Sequence, residues 1–287
     1  MVKFKSGVPD CDGFITSTNE KKYYFKIKDN NRLFKELLAQ EVAELLGIPH
    51  ITYYPYSTKK CSGVISESFI KDGFSYMSGI ELLEDYIAKT NRKNREYLYD
   101  CTTGGCISYK SYQDLYIIWQ AVEQKFKHYP NYDYLIISFM DKLIKMVLFD
   151  LLIVNWDRYS RNWFIEYNNS EFRLVDALDH DFSFDSNFDS ALGITQYDIN
   201  NDKSLINLIK ETDGCILKYF NDMCDKCNPD NIKKIIDMTI EKQKIIVSEV
   251  TINEVTQNFK NNYYSLMDAL KELKGNKENK TKRYRTY

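Results

Sequence analysis

The sequence predicts an α+β protein in two lobes. Two observations carry that expectation. The first 70 or so residues show period-two alternation around one amphipathic helix. From about residue 75 the apolar period becomes helical, interrupted by one short polar hairpin. A chain of 287 residues is long enough to bury a core in each lobe.

The elements follow in order. In Lys22-Tyr-Tyr-Phe-Lys-Ile-Lys28, Tyr23, Phe25 and Ile27 fall on one face and Tyr24, Lys26 and Lys28 on the other, as in a half-buried strand. A helix is expected over 32–46, with Leu33, Phe34, Leu37, Leu38, Val42, Leu45 and Leu46 as its apolar stripe. Asn31 would cap it, and Gly47 before Ile48-Pro49 would stop it. Residues 51–56 and 63–70 read as further strands. Ser111-x-x-Asp114 is a capping box for a helix through Phe126. Residues 134–154 are apolar nearly all round and should form a buried central helix. A hairpin is expected over 164–167 and 172–175, turning at Asn168-Asn169-Ser170. Asn228-Pro229 opens a helix to about Val247, and a last helix covers about 257–273. Residues 275–287 carry Lys277, Lys280, Lys282, Arg283 and Arg285 against Glu278 and read as a disordered basic tail. The expected division is an N-lobe over 1–70, a C-lobe over 71–274 and a tail over 275–287.

Composition excludes several classes. A chain 44% hydrophobic and 15% aromatic is not disordered. Lys plus Arg is 39 and Asp plus Glu 41, a formal charge of -2, which gives no global basic character for nucleic acid. MVKFKSGVPDCDG has no apolar signal region. The most apolar stretch, 135–156, is broken by Asp141, Lys142, Lys145 and Asp150, so no transmembrane helix is expected. These readings point to a soluble, cytoplasmic protein. The seven cysteines should be reduced thiols. Cys224-x2-Cys227 joined to Cys101 and Cys106 would make a zinc set, but no His lies close to either pair, and ordinary thiols are the better reading.

The chemistry concentrates after the central helix. Asn155, Asp157, Arg158, Arg161 and Asn162 follow it directly, and Asp179-His-Asp-Phe-Ser-Phe184 comes after the hairpin. An Asp-x4-Asn, a hairpin and another Asp suit phosphoryl transfer from ATP with Mg²⁺. Asp157 is then the base, and Asn162 and Asp179 are the metal ligands. Arg161 would neutralise charge on the transferred group. Such chemistry also needs a strand lysine and a helix glutamate: Lys26 and Glu36. Lys28 competes with Lys26, and Glu41 and Glu44 with Glu36. Gly7 and Gly13 do not make a GxGxxG phosphate loop.

Asn155-Trp-Asp157-Arg158-Tyr159-Ser-Arg-Asn162 resembles the N-x-D-R-H-x-x-N segment of the HipA-like serine/threonine kinases, with Tyr159 in place of the family's His. Arg173-Leu-Val-Asp-Ala-Leu-Asp179 is similar to the family's metal-Asp segment, with Asp181 as a second candidate. Lys26, Glu36 and Leu46-Gly47-Ile48-Pro49 match its strand-Lys and helix-Glu pattern. In size the chain resembles the compact CtkA type, without HipA's extra N-terminal domain. The resemblance implies a bilobed protein-kinase-like fold. Glu67-Ser-Phe69 would join the lobes, with its backbone and Phe69 at the adenine. It also implies a protein substrate, possible self-phosphorylation included. The catalytic segment is also similar to type II phosphatidylinositol 4-kinases and, more loosely, to CotH kinases. A lipid or small-molecule acceptor, with peripheral membrane contact, is therefore the competing reading, and an inactive interaction module the third.

Overall fold

The computed structural model describes residues 13–16, 21–57, 61–90, 115–155, 157–158, 160–185 and 215–283. The N-terminal sheet is antiparallel, in the order β1-β2-β4-β3, from β1 (Gly13–Thr16), β2 (Lys22–Ile27), β3 (Tyr53–Ser57) and β4 (Ser62–Glu67). Alternation divides its two faces. Tyr23, Phe25 and Ile65 pack together with Tyr56 on one face. Lys26 lies opposite Val64, and Tyr53 opposite Ser66, on the other. There Tyr53 and Val64 meet Leu33 and Leu37 of helix α1 (Asn30–Leu46). Ile27, expected on the buried face, is exposed at the strand's end.

Asp29, not Asn31, caps α1: its carboxylate accepts the Arg32 N–H at 2.9 Å. The helix starts at once after the strand, so the cap falls on the last extended residue. Gly47 closes α1 with φ 70°, the left-handed geometry that glycine adopts without Cβ strain.

The second lobe is mostly helical: α2 (Gly79–Thr90), α3 (Leu115–Phe126), α4 (Tyr132–Ile153), α5 (Cys215–Lys226), α6 (Pro229–Gln243) and α7 (Glu249–Arg283). A three-stranded sheet, β5 (Ser75–Ser78), β6 (Phe164–Tyr167) and β7 (Phe172–Leu174), completes it. The alternation read from the sequence missed β5, α2 and α5. Asn228 caps α6 as expected, accepting from the Asp230 and Asn231 amides. Every side chain from Met146 to Ile153 on α4 is buried, Asp150 included. The capping box at 111–114 lies outside the described residues. α7 departs from expectation at both ends. The Ser248 hydroxyl accepts the Thr251 N–H at 3.1 Å and starts the helix early. It then runs through 275–283, where a disordered tail was expected. That stretch is Lys-rich and free of proline, and a single Gly275 costs only about 1 kcal/mol in a helix.

The lobes are tied at the back by backbone. Ala177 N–H donates to Pro49 O at 3.0 Å, and Ile51 N–H to Ala177 O at 2.8 Å. The loop after α1 is thus fastened to the segment that leads to Asp179.

Gly63 pairs with Ile27 and lies against the backbone of β2, where a Cβ would overlap the Lys26 carbonyl oxygen. Gly63→Ala should therefore lower stability by about 1–3 kcal/mol. Denaturant unfolding of the two proteins checks this, and an unchanged midpoint would refute the close approach.

Candidate active site

The site is built on a buried charge. Asp150 has no exposed surface and sits in an otherwise apolar stretch of α4, so it requires partners. Arg158 supplies two of them, Nε to Oδ2 at 2.8 Å and Nη2 to Oδ1 at 3.1 Å, and Asn155 Nδ2 a third at 2.9 Å. The same guanidinium donates to the carbonyls of Asn162, at 2.8 Å, and Leu178. One side chain thus fastens α4, the 157–162 turn and the approach to Asp179.

Asp157 stands on this platform. Asn162 donates its amide to the Asp157 carboxylate at 3.1 Å and to its carbonyl at 2.5 Å. Burial, reinforced by the nearby anions Asp179 and Asp181, pushes the Asp157 carboxyl up to about 6. Arg161, exposed beside it, opposes that rise. Of Asp157, Asn162 and Asp179, expected to act together, the first two are in contact, and the charge of Asp179 acts on Asp157.

Asp179 has φ 61°, a left-handed conformation uncommon for a non-glycine residue. Its N–H donates to the Tyr53 hydroxyl at 3.4 Å. Two ammonium groups meet the acids that follow. Lys26 contacts Asp179. Lys28 lies 2.7 Å from Asp181, 3.0 Å from Glu36 and 3.6 Å from Asp179. Burial disfavours ionisation of Asp179, but Lys26 and Lys28 overcome it and hold the carboxyl well below the usual range. Burial likewise opposes ionisation of Glu36, and the Lys28 ammonium outweighs it. Asp181 goes the other way: burial raises it in spite of Lys28. The His180 N–H donates to Glu36 at 2.9 Å, and burial lowers the ring's pKa, favouring neutral imidazole.

One pairing in the sequence reading needs correction. Glu36 is met by Lys28, not by Lys26. Both lysines project from the same face of the chain, roughly 6.5 Å apart along it. Lys28 is the one beside the start of α1 and reaches Glu36. Lys26, farther along β2, reaches Asp179 instead. Glu41 and Glu44 lie elsewhere on α1 and pair with Lys242. Glu67 ends β4 and turns its side chain to Lys21, at 2.9 Å, on an exposed surface. The Phe69 ring lies 5.9 Å from that of Phe164, two residues after Asn162. The sequence reading gave no role to Asp150, Arg158, His180 or Tyr53. The signal for the first two was a lone acid inside an apolar run with an Arg eight residues on. Tyr159, Gly7, Cys101 and Cys106 lie outside the described residues. Burial pushes the Cys224 and Cys227 thiols up to about 12, away from the thiolate that zinc requires.

Oxygen atoms of Glu36, Asp179 and Asp181 lie within 4.8 Å of one another. Such carboxylate donors suit a hard divalent cation. Glu36 is the most deeply buried of the three and is also met by the His180 N–H, so the acids that could hold a cation are Asp179 and Asp181, with Asn162 beside Asp157.

No family model and no curated protein matches this chain. Solved structures do. The Helicobacter pylori proinflammatory kinase CtkA superposes with a TM-score of 0.60 over 95% of both chains, at 16% identity. HipA from Shewanella oneidensis MR-1, solved with HipB and operator DNA, gives 0.52 over 90% of this chain and 61% of that one, at 12% identity. The fold is that of the HipA-like kinases. It is bilobed, and the overlap with CtkA extends over nearly all of both chains. The Golgi casein kinase superposes with a TM-score of 0.50 over 95% of this chain and 71% of that one, at 12% identity.

Arg158→Leu would leave Asp150 charged and unpaired in the HipA-like core. The expected loss is about 3–5 kcal/mol of stability. Chemical denaturation measures it, and a loss below about 1 kcal/mol would show that the pair does not organise the site.

Proposed function

We propose that this chain catalyses ATP- and Mg²⁺-dependent phosphoryl transfer to Ser or Thr hydroxyls of proteins, its own included. The observation that carries the reading is Asp157, a carboxyl raised to about 6 by burial and by the nearby acids Asp179 and Asp181, which Lys26 and Lys28 contact. A base for a hydroxyl acceptor works best with a pKa near the working pH. Asp157 would accept the acceptor proton while Asn162 orients its carboxylate. Arg161 would face the charge that develops on the transferred group. Asp179, Asp181 and Asn162 would hold Mg²⁺, which when bound supplies charge neutralisation at the phosphates.

Lys26, partly exposed, is suited to leave Asp179 for the phosphates of ATP. Lys28, fully buried among three carboxylates, is suited to keep α1 in place through Glu36. The Glu67 backbone and Phe69, next to Phe164, would border the adenine. The HipA-like fold and the 155–162 segment support a protein acceptor. Among the described residues no helix is long and apolar enough to cross a membrane.

Incubation with labelled ATP and Mg²⁺ tests the reading, with a protein mixture in one arm and phosphoinositide vesicles in the other. Label in protein, or in the chain itself, supports it. Label in lipid alone would move the acceptor to a membrane, and none in either would leave an inactive module.

Asp157→Asn should lower turnover by about 10²-fold or more and leave ATP affinity within a few-fold. For the wild type, the base form is lost as pH falls through the raised Asp157 value. The rate should therefore decline below about pH 6 and level off above it. A pH–rate profile that is flat from 5 to 8, or full activity in the variant, would remove Asp157 from the mechanism.

The two lysines should separate. Lys26→Met should raise the KM for ATP by about tenfold or more with little change in melting temperature. Lys28→Met, which strips the buried Glu36 and Asp181 carboxylates of their cation, should destabilise the fold by several kcal/mol. Steady-state kinetics beside thermal melts of both variants would reverse these roles if Lys26→Met proved the unstable one.

A further inference from the structure

The residues just after Asp181 are gripped from three sides. Phe184 N–H donates to the Ile153 carbonyl at 2.7 Å, at the end of α4. From α1, Arg32 lies over the Phe182 ring at 4.2 Å, and Lys35 pairs with Asp185 at 2.9 Å. From α7, the buried amides of Asn258 and Asn262, one helical turn apart, donate to the carbonyls of Phe184 at 3.2 Å and Asp185 at 3.4 Å. Phe259, between them in sequence, sets its ring 6.3 Å from that of Phe184. At the start of the same helix the Thr251 hydroxyl donates to Asn31 at 3.0 Å, on the first turn of α1.

Phe184 is held with φ 60°. A bulky residue leaves that conformation unless its surroundings impose another preference. Released, it would relax toward a negative φ and carry Asp181 and Asp179 with it, three and five residues upstream. Buried asparagines on a helix face normally weaken packing. These two are each spent on a backbone carbonyl of one strained segment.

We propose that Asn258 and Asn262 are positioning residues for the metal-binding acids, and that α7 is a structural part of the active site. The proposal rests on the phosphotransfer reading, in which Asp179 and Asp181 hold the cation. α7 braces the site through two contacts at once. Its asparagines fix the segment that sets the two acids, and Thr251 fixes the helix that bears Glu36.

The test is Mn²⁺ binding to the full chain, followed by electron paramagnetic resonance, beside phosphotransfer at increasing Mg²⁺. Asn258→Ala removes the donor. Asn258→Asp keeps the shape but turns the donor into an anion. Simple Coulomb attraction would let that added charge tighten cation binding. If position matters, both variants should bind Mn²⁺ about tenfold or more weakly. Transfer should then recover at high Mg²⁺, with the KM for the protein acceptor unchanged. Asn262→Ala should show the same pattern at smaller amplitude, and it carries the test if Asn258→Ala does not fold. Thermal melts identify variants that are simply unstable, since Mg²⁺ would not restore those. Mn²⁺ affinity within twofold of wild type in Asn258→Asp and Asn262→Ala would overturn the proposal while leaving the kinase reading intact. A wild type that binds no Mn²⁺ and transfers no phosphate would overturn both.

Discussion

The Asp150–Arg158 pair is the interaction on which the rest of the site depends. A carboxylate inside an apolar helix is tolerable only with a cation and further donors around it. Arg158 is a better partner than a lysine, because its planar fork answers both carboxylate oxygens and still has donors left. Those remaining N–H groups go to the Asn162 and Leu178 carbonyls, on either side of the β6–β7 hairpin. One buried ion pair thereby sets the spacing between the Asp157 turn and the Asp179 segment. Its energetic contribution to folding matters less than its geometry.

A second constraint is charge balance. Glu36, Asp179 and Asp181 converge from two lobes, and Lys26 and Lys28 answer them. Burial does most to raise the Asp157 carboxyl, and the charges of Asp179 and Asp181 add to it. Those same two acids favour a divalent cation beside Asp157. A change at either acid should therefore touch both properties.

Much of this was legible in the sequence. The strand–helix–strand order, the buried α4 and the 164–174 hairpin all show in hydrophobic period. Asp157, Asn162 and Asp179 stood out because polar residues crowd the mouth of an apolar helix. The Lys26–Glu36 pairing failed for a geometric reason. Period two places Lys26 and Lys28 on one face, but only three-dimensional closeness to α1 selects between them. β5 and α2 were missed for a different reason. β5 is short and half-buried, and it takes its place from pairing with β6 rather than from its own alternation. The grip of α7 on Phe184 and Asp185 joins residues 74 and 77 positions apart through asparagine amides, and no local pattern announces it.

Three non-glycine residues with positive φ bracket the site: Val154 at 52°, Asp179 at 61° and Phe184 at 60°. Glycine would relieve each of them, yet each side chain has a use that glycine lacks. Val154 and Phe184 are buried in the C-lobe, and Asp179 offers its carboxylate to two lysines. Backbone conformations of this kind cost of order 1–3 kcal/mol each and survive only where neighbours over-determine them. Here the over-determining contacts are named. Asn155 N–H and side chain both bond Asp150 just beyond Val154. Tyr53 meets the Asp179 amide, and α4 and α7 hold Phe184 from opposite ends of its peptide unit. The strain thus falls where the apolar core of the C-lobe meets the polar platform. It marks the turns that bring the Asp179 segment close enough for its charge to act on Asp157.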